Sequence, residues 1–184
     1  MKKHIVSAVL LSAVTALSGC SASSEESAPV SGRTAAPVTA EMINSEGIKI
    51  GTAVFTDTGK GVSIRLKAEG LPPGIKAIHI HETGKCDKPD FKTAGGHFNP
   101  KKKQHGFDNP KGYHAGDLPN IEINEKGKVD VELQTADVTL MQGKKNSLLD
   151  EDGSSLIIHE SKDDYQTDPA GNAGNRIACG AIVN

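Results

Sequence analysis

From about residue 47 onward, apolar side chains tend to recur at every second position, the period of a strand with one buried face. Ile48 to Phe55 is β-rich, and Val62, Ile64, Leu66 and Ala68 alternate with polar residues. The turn Leu71-Pro72-Pro73-Gly74 then leads into Ala77-Ile78-His79-Ile80-His81. There the same period puts both histidines on one face and Ile78 with Ile80 on the other, in the core. Glu122 to Gln134 reads as a hairpin about Glu125-Lys126-Gly127, with Val129, Val131 and Leu133 alternating after the turn. Asp152-Gly153 marks a turn before the run Ser155 to His159, and Arg176 to Val183 is the last strand. Helical periodicity is almost absent. Roughly eight short strands with turn punctuation predict an all-β sandwich or flattened barrel.

Two long segments break the alternation. Residues 83–119 carry little strand signal but hold Cys86, His97, His105, His114 and Asp117, and residues 160–175 end at Arg176. A structureless stretch as long as the first is usually functional or disordered. Metal and disulfide anchors would explain how it stays ordered.

The N-terminus follows a different pattern. Lys2 and Lys3 precede an apolar run of 13 residues, Ile5 to Leu17, which is too short to span a bilayer and suits an export signal. The run ends in Leu17-Ser18-Gly19-Cys20, which resembles a bacterial lipobox. Residues 1–19 are therefore expected to be a lipoprotein signal peptide, with Cys20 lipidated and anchoring the exported protein on the outer side of the bacterial cell membrane. More than one acyl chain would make that attachment stable. Ordinary secretion with Cys20 as a spare thiol is the alternative. Residues 20–45 are Ser-, Ala- and Pro-rich and read as a flexible tether to a domain spanning 46–184.

Composition narrows the picture further. Trp is absent and Phe plus Tyr total six, so the core must be built from Val, Ile, Leu and Ala. Cleavage after residue 19 removes Lys2 and Lys3 from the 21 basic residues, leaving 19 against 23 acidic ones, a net charge near −4. No basic tract points to nucleic acid. With Cys20 lipidated, Cys86 and Cys179 are the remaining cysteines, and one bridge between them is possible in an oxidising compartment. The alternative is two reduced thiols.

Six of the seven histidines fall between residues 79 and 159. Neutral imidazole offers a lone pair near neutral pH, which makes histidine the commonest metal ligand. His97, His105, His114 and Asp117 supply three imidazoles and a carboxylate, the closed tetrahedral donor set of a structural Zn²⁺. His79, His81, His97 and His159 supply four imidazoles, which suit Cu²⁺ with an axial approach left open. His97 stands in both sets because a deprotonated imidazole can bridge two cations.

In these motifs the chain resembles the bacterial copper-zinc superoxide dismutases. The resemblance covers about residues 47–183. It is carried by His79-Ile80-His81-Glu82, Gly95-Gly96-His97-Phe98-Asn99-Pro100, His105-Gly106, His114 to Asn120, Ile158-His159-Glu160, Gly171-Asn172-Ala173-Gly174 and Arg176-x-x-Cys179-Gly180. It implies a Greek-key β-sandwich or flattened eight-stranded barrel with two long functional loops. It implies one copper at His79, His81, His97 and His159 and one zinc at His97, His105, His114 and Asp117. It also implies a Cys86–Cys179 disulfide, Asp163 as the outer carboxylate linking a copper histidine to a zinc histidine, and Arg176 as the guide for the anion. The implied activity is dismutation of superoxide to oxygen and hydrogen peroxide by redox-cycling copper bridged through His97 to zinc, in a monomer or homodimer. The pattern departs from some relatives in one respect: residues 160–175 hold Lys162 alone among four acidic residues, Glu160, Asp163, Asp164 and Asp168. Lys101, Lys102 and Lys103 are the candidates to compensate. A metal-binding module without turnover is the competing reading, and loss of a copper ligand would favour it. None is missing.

Overall fold

The computed structural model describes residues 34–184; the export signal, Cys20 and most of the expected tether lie outside the described residues. Nine short strands run as β1 (Val38–Asn44), β2 (Lys49–Asp57), β3 (Val62–Ala68), β4 (Gly74–Lys76), β5 (Ile78–His81), β6 (Ile121–Ile123), β7 (Val129–Thr135), β8 (Ser154–His159) and β9 (Arg176–Ile182). The only helical element among the described residues is one 3₁₀ turn, Lys92–Ala94. Seven strands form an antiparallel sheet in the order β5-β8-β9-β1-β2-β3-β7, and β4 pairs with β6 in a second, two-stranded sheet.

The ninth strand arises because one run is divided. Only Ala77 separates β4 from β5, and its carbonyl receives His159 N–H at 2.9 Å. With β4 and β5 taken as one kinked strand, eight strands follow one another round a curled half-barrel. β3 lies beside β7 rather than beside β4, which is a Greek-key connection.

Two expectations need correction. β1 lies within residues 20–45, the stretch read as tether, yet it sits between β2 and β9 with Ala40 and Met42 buried. Its mix of Ala, Glu and Met has weak strand propensity, and pairing on both edges overrides that. Burying Met42 alone contributes about 1.5–3 kcal/mol. The turn at 124–128 forms as expected, with Asn124 Oδ1 accepting the Lys126 and Lys128 N–H groups at 3.0 Å each. Its arms then part. β6 pairs with β4 and β7 with β3, and Ile121, Ile123, Val129 and Leu133 all join the same core.

The core is aliphatic, with Phe55 buried among Ile64, Leu66, Ile78, Ile80, Leu156 and Ile158. A smaller cluster of Phe91, Ala94, Ile157 and Cys179 lies under the start of the first long loop. That loop is tied to β9 by the Cys86–Cys179 disulfide, which closes 93 residues. Chain-entropy accounts assign such a loop roughly 4–5 kcal/mol, although the mechanism is disputed.

Candidate metal centre

β5 supplies the first two histidines. Its alternation holds Ile78 and Ile80 in the main core and turns His79 and His81 away from it, and all four are fully or almost fully buried. One edge of β5 pairs with β8, and the other receives the first long loop as an irregular partner strand. Ile80 N–H donates to Gly116 O at 2.8 Å, Phe98 N–H to Ile80 O at 2.8 Å, and Glu82 N–H to Gly96 O at 3.0 Å. Gly116 permits this approach, since a Cβ there would lie 2.2 Å from Ile80 O. The docking sets His81 opposite His97 and His79 opposite Asp117. On the far side, the β8–β9 register shifts between Ile158 and His159, which places His159 opposite Arg176.

Each of four histidine rings has one nitrogen held and the other free. His79 Nε2 meets Asp163 Oδ2 at 2.9 Å, His81 Nδ1 meets Gly95 O at 3.0 Å, His97 Nδ1 meets Asp117 Oδ1 at 2.9 Å, and His159 Nδ1 meets Gly174 O at 3.4 Å. Carbonyl and carboxylate oxygens only accept, so in His79, His81 and His159 the held nitrogen carries the proton and the lone pair sits on the other; His97 Nδ1 instead lies among the donor atoms of a second set. Those other atoms, His79 Nδ1, His81 Nε2, His97 Nε2 and His159 Nε2, are buried and have no hydrogen-bond partner. One nitrogen from each of the four rings falls within 4.8 Å of the others. Four unpartnered buried acceptors facing one point are costly unless a cation occupies it. An all-imidazole set of this kind suits copper.

The second set is organised by Asp117. Its Oδ1 lies 2.9 Å from His97 Nδ1, 3.0 Å from His105 Nδ1 and 3.4 Å from His114 Nδ1, and the His97 and His114 Nδ1 atoms are 3.3 Å apart. Its Oδ2 accepts the N–H groups of Gly106 and His114 at 3.0 Å each. Tetrahedral zinc with bonds near 2.0–2.1 Å separates its ligand atoms by roughly 3.3 Å, so these four donors fit. His79 also comes within 4.8 Å of His97, His105 and Asp117. However, its Nε2 is committed to Asp163 and its Nδ1 is one of the four unpartnered atoms of the first set, so His114 is the better fourth donor. His97 belongs to both sets, with Nδ1 toward Asp117 and Nε2 toward the first.

Asp163 joins the two sets from behind. Its Oδ2 accepts from His79 and its Oδ1 lies 3.0 Å from His105 Nε2. Burial alone would lower the basicity of His105, but hydrogen bonds to Asp117 and Asp163 outweigh it and raise the pKa to about 9. Burial would raise the pKa of Asp117, yet the His105, His114 and His97 rings and Gly106 N–H hold it far below the ordinary carboxylate range. In the first set burial dominates. With help from neighbouring rings it lowers His159 to about 3 and His97 to about 4, so both are neutral and ready to donate.

A cleft of about 480 Å³ opens onto the first set, lined by His81, Glu82, His97, His159 and Arg176 among others, while His79 does not line it. Arg176 Nη1 donates to Phe91 O at 2.6 Å and Nη2 to Gly95 O at 2.7 Å, so the guanidinium is pinned at the wall. Among the described residues it is the only Lys or Arg lining this cleft. Lys101 is instead engaged with Asp137 at 2.6 Å, and neither Lys102 nor Lys103 lines the cleft. Sequence reasoning did not single out the carbonyls of Gly95 and Gly174 as ring anchors, since any residue type supplies a carbonyl. It also left Asn120 without a separate role. The Asn120 side chain accepts Asp163 N–H at 2.8 Å and donates to Asp163 O at 3.0 Å.

Known proteins give the chain a family. Residues 49–182 match the profile of the copper/zinc superoxide dismutase (SODC) family. The chain is 57% identical over 144 residues to superoxide dismutase [Cu-Zn] 1 of Aquifex aeolicus, covering 78% of this chain and 85% of that one. It is 49% identical over 145 residues to the superoxide dismutase-like protein YojM of Bacillus subtilis, covering 78% and 74%. A crystal structure of a SOD-like protein from Bacillus subtilis, a double mutant with histidine in place of a tyrosine and a proline, superposes with a TM-score of 0.77 at 49% identity over 79% of this chain and 97% of that one. With a half-barrel of this topology, paired histidine sets and a family match over most of the folded residues, the chain belongs to the copper/zinc superoxide dismutase family.

Proposed function

We propose that this protein is an oxidoreductase that converts two superoxide anions and two protons into oxygen and hydrogen peroxide, using one copper and one zinc per chain. The observation that carries this reading is the set of four buried ring nitrogens without partners beside a pinned guanidinium. His79, His81, His97 and His159 are the copper ligands, and His97, His105, His114 and Asp117 the zinc ligands. Copper, when bound, supplies the one-electron redox couple that Zn²⁺ lacks.

The chain's own groups do the rest. Arg176 keeps a permanent positive charge at the cleft wall and orients the anion; having no lone pair, it holds no metal. His97 keeps its ring fixed through Nδ1, which leaves Nε2 as the atom that holds a proton for delivery to reduced substrate. Asp163 holds the outer nitrogens of His79 and His105, which fixes their tautomers and raises their basicity as ligands. Burial of the His79 ring keeps water from that side of the copper ligands.

The protein acts outside the cytoplasm and protects that compartment from oxidative damage. Residues 1–19 direct export, Cys20 carries the lipid that attaches the chain to the membrane, and the tether after Cys20 leads to the barrel, in a monomer or homodimer. Among the described residues no helix is long and apolar enough to cross a membrane. Cys20→Ser should leave unprocessed precursor or soluble protein. A native protein found wholly in the culture fluid, without lipid mass on its N-terminal peptide, would overturn the anchor.

Metal analysis of the purified protein, with dismutase activity assayed before and after copper addition, tests the enzymatic reading. One copper and one zinc per chain with activity restored by copper is expected. Binding of zinc alone at full copper supply would leave a metal-binding module without turnover.

A further inference from the structure

The segment that carries Asp163 folds back on itself. Asp164 accepts the N–H groups of Gln166 and Thr167 at 2.9 and 2.8 Å, the Thr167 hydroxyl at 2.7 Å and Asn172 Nδ2 at 2.9 Å. Gly171 closes the ring: its N–H donates to Thr167 O at 2.7 Å and its carbonyl accepts Asp164 N–H at 3.0 Å. Bonded on both sides, Gly171 cannot retreat, and its φ of +63° lies in the left-handed region. The space beside its Cα is already occupied. A Cβ there would lie 1.8 Å from Asp163 Oδ1 and 2.7 Å from His105 Nε2. That Oδ1 is the atom that meets His105 Nε2 at 3.0 Å and accepts Tyr165 N–H at 2.7 Å.

We infer that Gly171 is a positioning residue for the zinc site, its bare Cα leaving the room in which the Asp163 carboxylate reaches His105. Any side chain at 171 pushes Oδ1 off His105, freeing the outer nitrogen of one zinc ligand. The effect falls on zinc first, because the Asp163 oxygen facing the copper ligand His79 is Oδ2, the one farther from the obstruction. This inference rests on the assignment of Asp163 and the zinc ligands above.

Zinc affinity of the full-length protein, by chelator competition, and the visible spectrum of Co²⁺ in the zinc site test it without reference to activity. Gly171→Ala should weaken zinc about 10- to 100-fold, the usual cost of losing an outer-sphere partner, and alter the Co²⁺ spectrum while copper content holds. Gly171→Asn tolerates the positive φ better but keeps the Cβ, so it should give the same loss if the alanine variant does not fold. Gly143→Ala carries the same backbone cost at φ +74° with no atom within 4 Å, and should bind zinc as the parent does. Added to Asp163→Ala, the Gly171→Ala change should cost less than it does alone, since the carboxylate is gone and only the contact with His105 remains. Parental zinc affinity in both Gly171 variants, equal weakening by Gly143→Ala, or full additivity with Asp163→Ala would overturn the role of Gly171. Parental zinc affinity in Asp163→Ala would instead overturn the assignment of Asp163 itself.

Discussion

The two halves of the metal centre are held by different parts of the molecule. In the proposed copper set three of the four rings stand on strands: His79 and His81 on β5 and His159 at the end of β8. The ladder places them, and their inner nitrogens stay free. In the proposed zinc set every donor lies in the first long loop, where Asp117 collects three rings and two backbone N–H groups. A strand-built site exists before its metal because the sheet's stability holds it. A loop-built site draws much of its order from the ion, since metal binding energy is folding energy.

His159→Ala should break the comparison most sharply on the functional side. It removes a proposed copper ligand, so activity should be almost abolished while zinc content and the melting transition stay near parental. Loss of zinc along with copper would mean that the two halves are not separable. His114→Ala is the converse, with the sheet intact and hydrogen exchange rising in residues 83–119. A loss of ~2 kcal/mol or more would lower Tm by about 4–8 °C for a domain of this size. A similar Tm loss in both variants would count against the division of roles.

Arg176→Ala should retain both metals, as judged by elemental analysis, while activity falls several-fold and depends less on ionic strength. A cationic cleft focuses an anionic substrate, and that field is screened by salt. Arg176→Lys should recover part of the loss through charge without the planar fork. Parental activity in Arg176→Ala with both metals bound would move the guiding role elsewhere; Lys102 and Lys103 would be next, although neither lines the cleft.

The smallest effect comes from a segment ordered without metal. Asp57 accepts Gly59 N–H at 2.8 Å, the Thr139 hydroxyl at 2.8 Å and Leu140 N–H at 3.2 Å, tying residues 136–153 to the end of β2. Burial would raise its pKa, but these hydrogen bonds outweigh it and hold the carboxyl below 3.8. A depressed folded pKa means that the stabilisation is present above the unfolded value and is lost as pH falls through the folded one. Asp57→Asn should cost about 1 kcal/mol at neutral pH, equally with and without zinc. The gap to the parent should close below pH ~4. A chelator-dependent effect, measured by urea unfolding, would show that this segment too leans on the metal.

Legibility in the sequence followed locality. The period-two run Ile78 to His81 told which way each side chain points, and the structure has it so. β1 was hidden because Ala40 and Met42 are a faint pattern until two neighbours pair with them. The turn at Gly127 was legible, but where its arms go was not, since β4 and β3 compete for them from distant parts of the chain. Asp163 could be picked out through the resemblance, whereas Gly171 had no visible reason to be glycine until Asp163 and His105 were brought against it.

By itself the sequence determined the chemistry available: six clustered histidines, an aspartate three residues after His114, a permanently charged arginine and two cysteines able to pair. Residue identity decides which atoms can donate a lone pair or keep a charge. Only the tertiary structure decided which nitrogen of each ring is free, because a backbone carbonyl or a carboxylate from another segment takes the other. It also decided that Arg176, and no lysine, faces the cleft. Both depend on contacts between residues 14 to 85 positions apart in the chain, which local pattern does not encode.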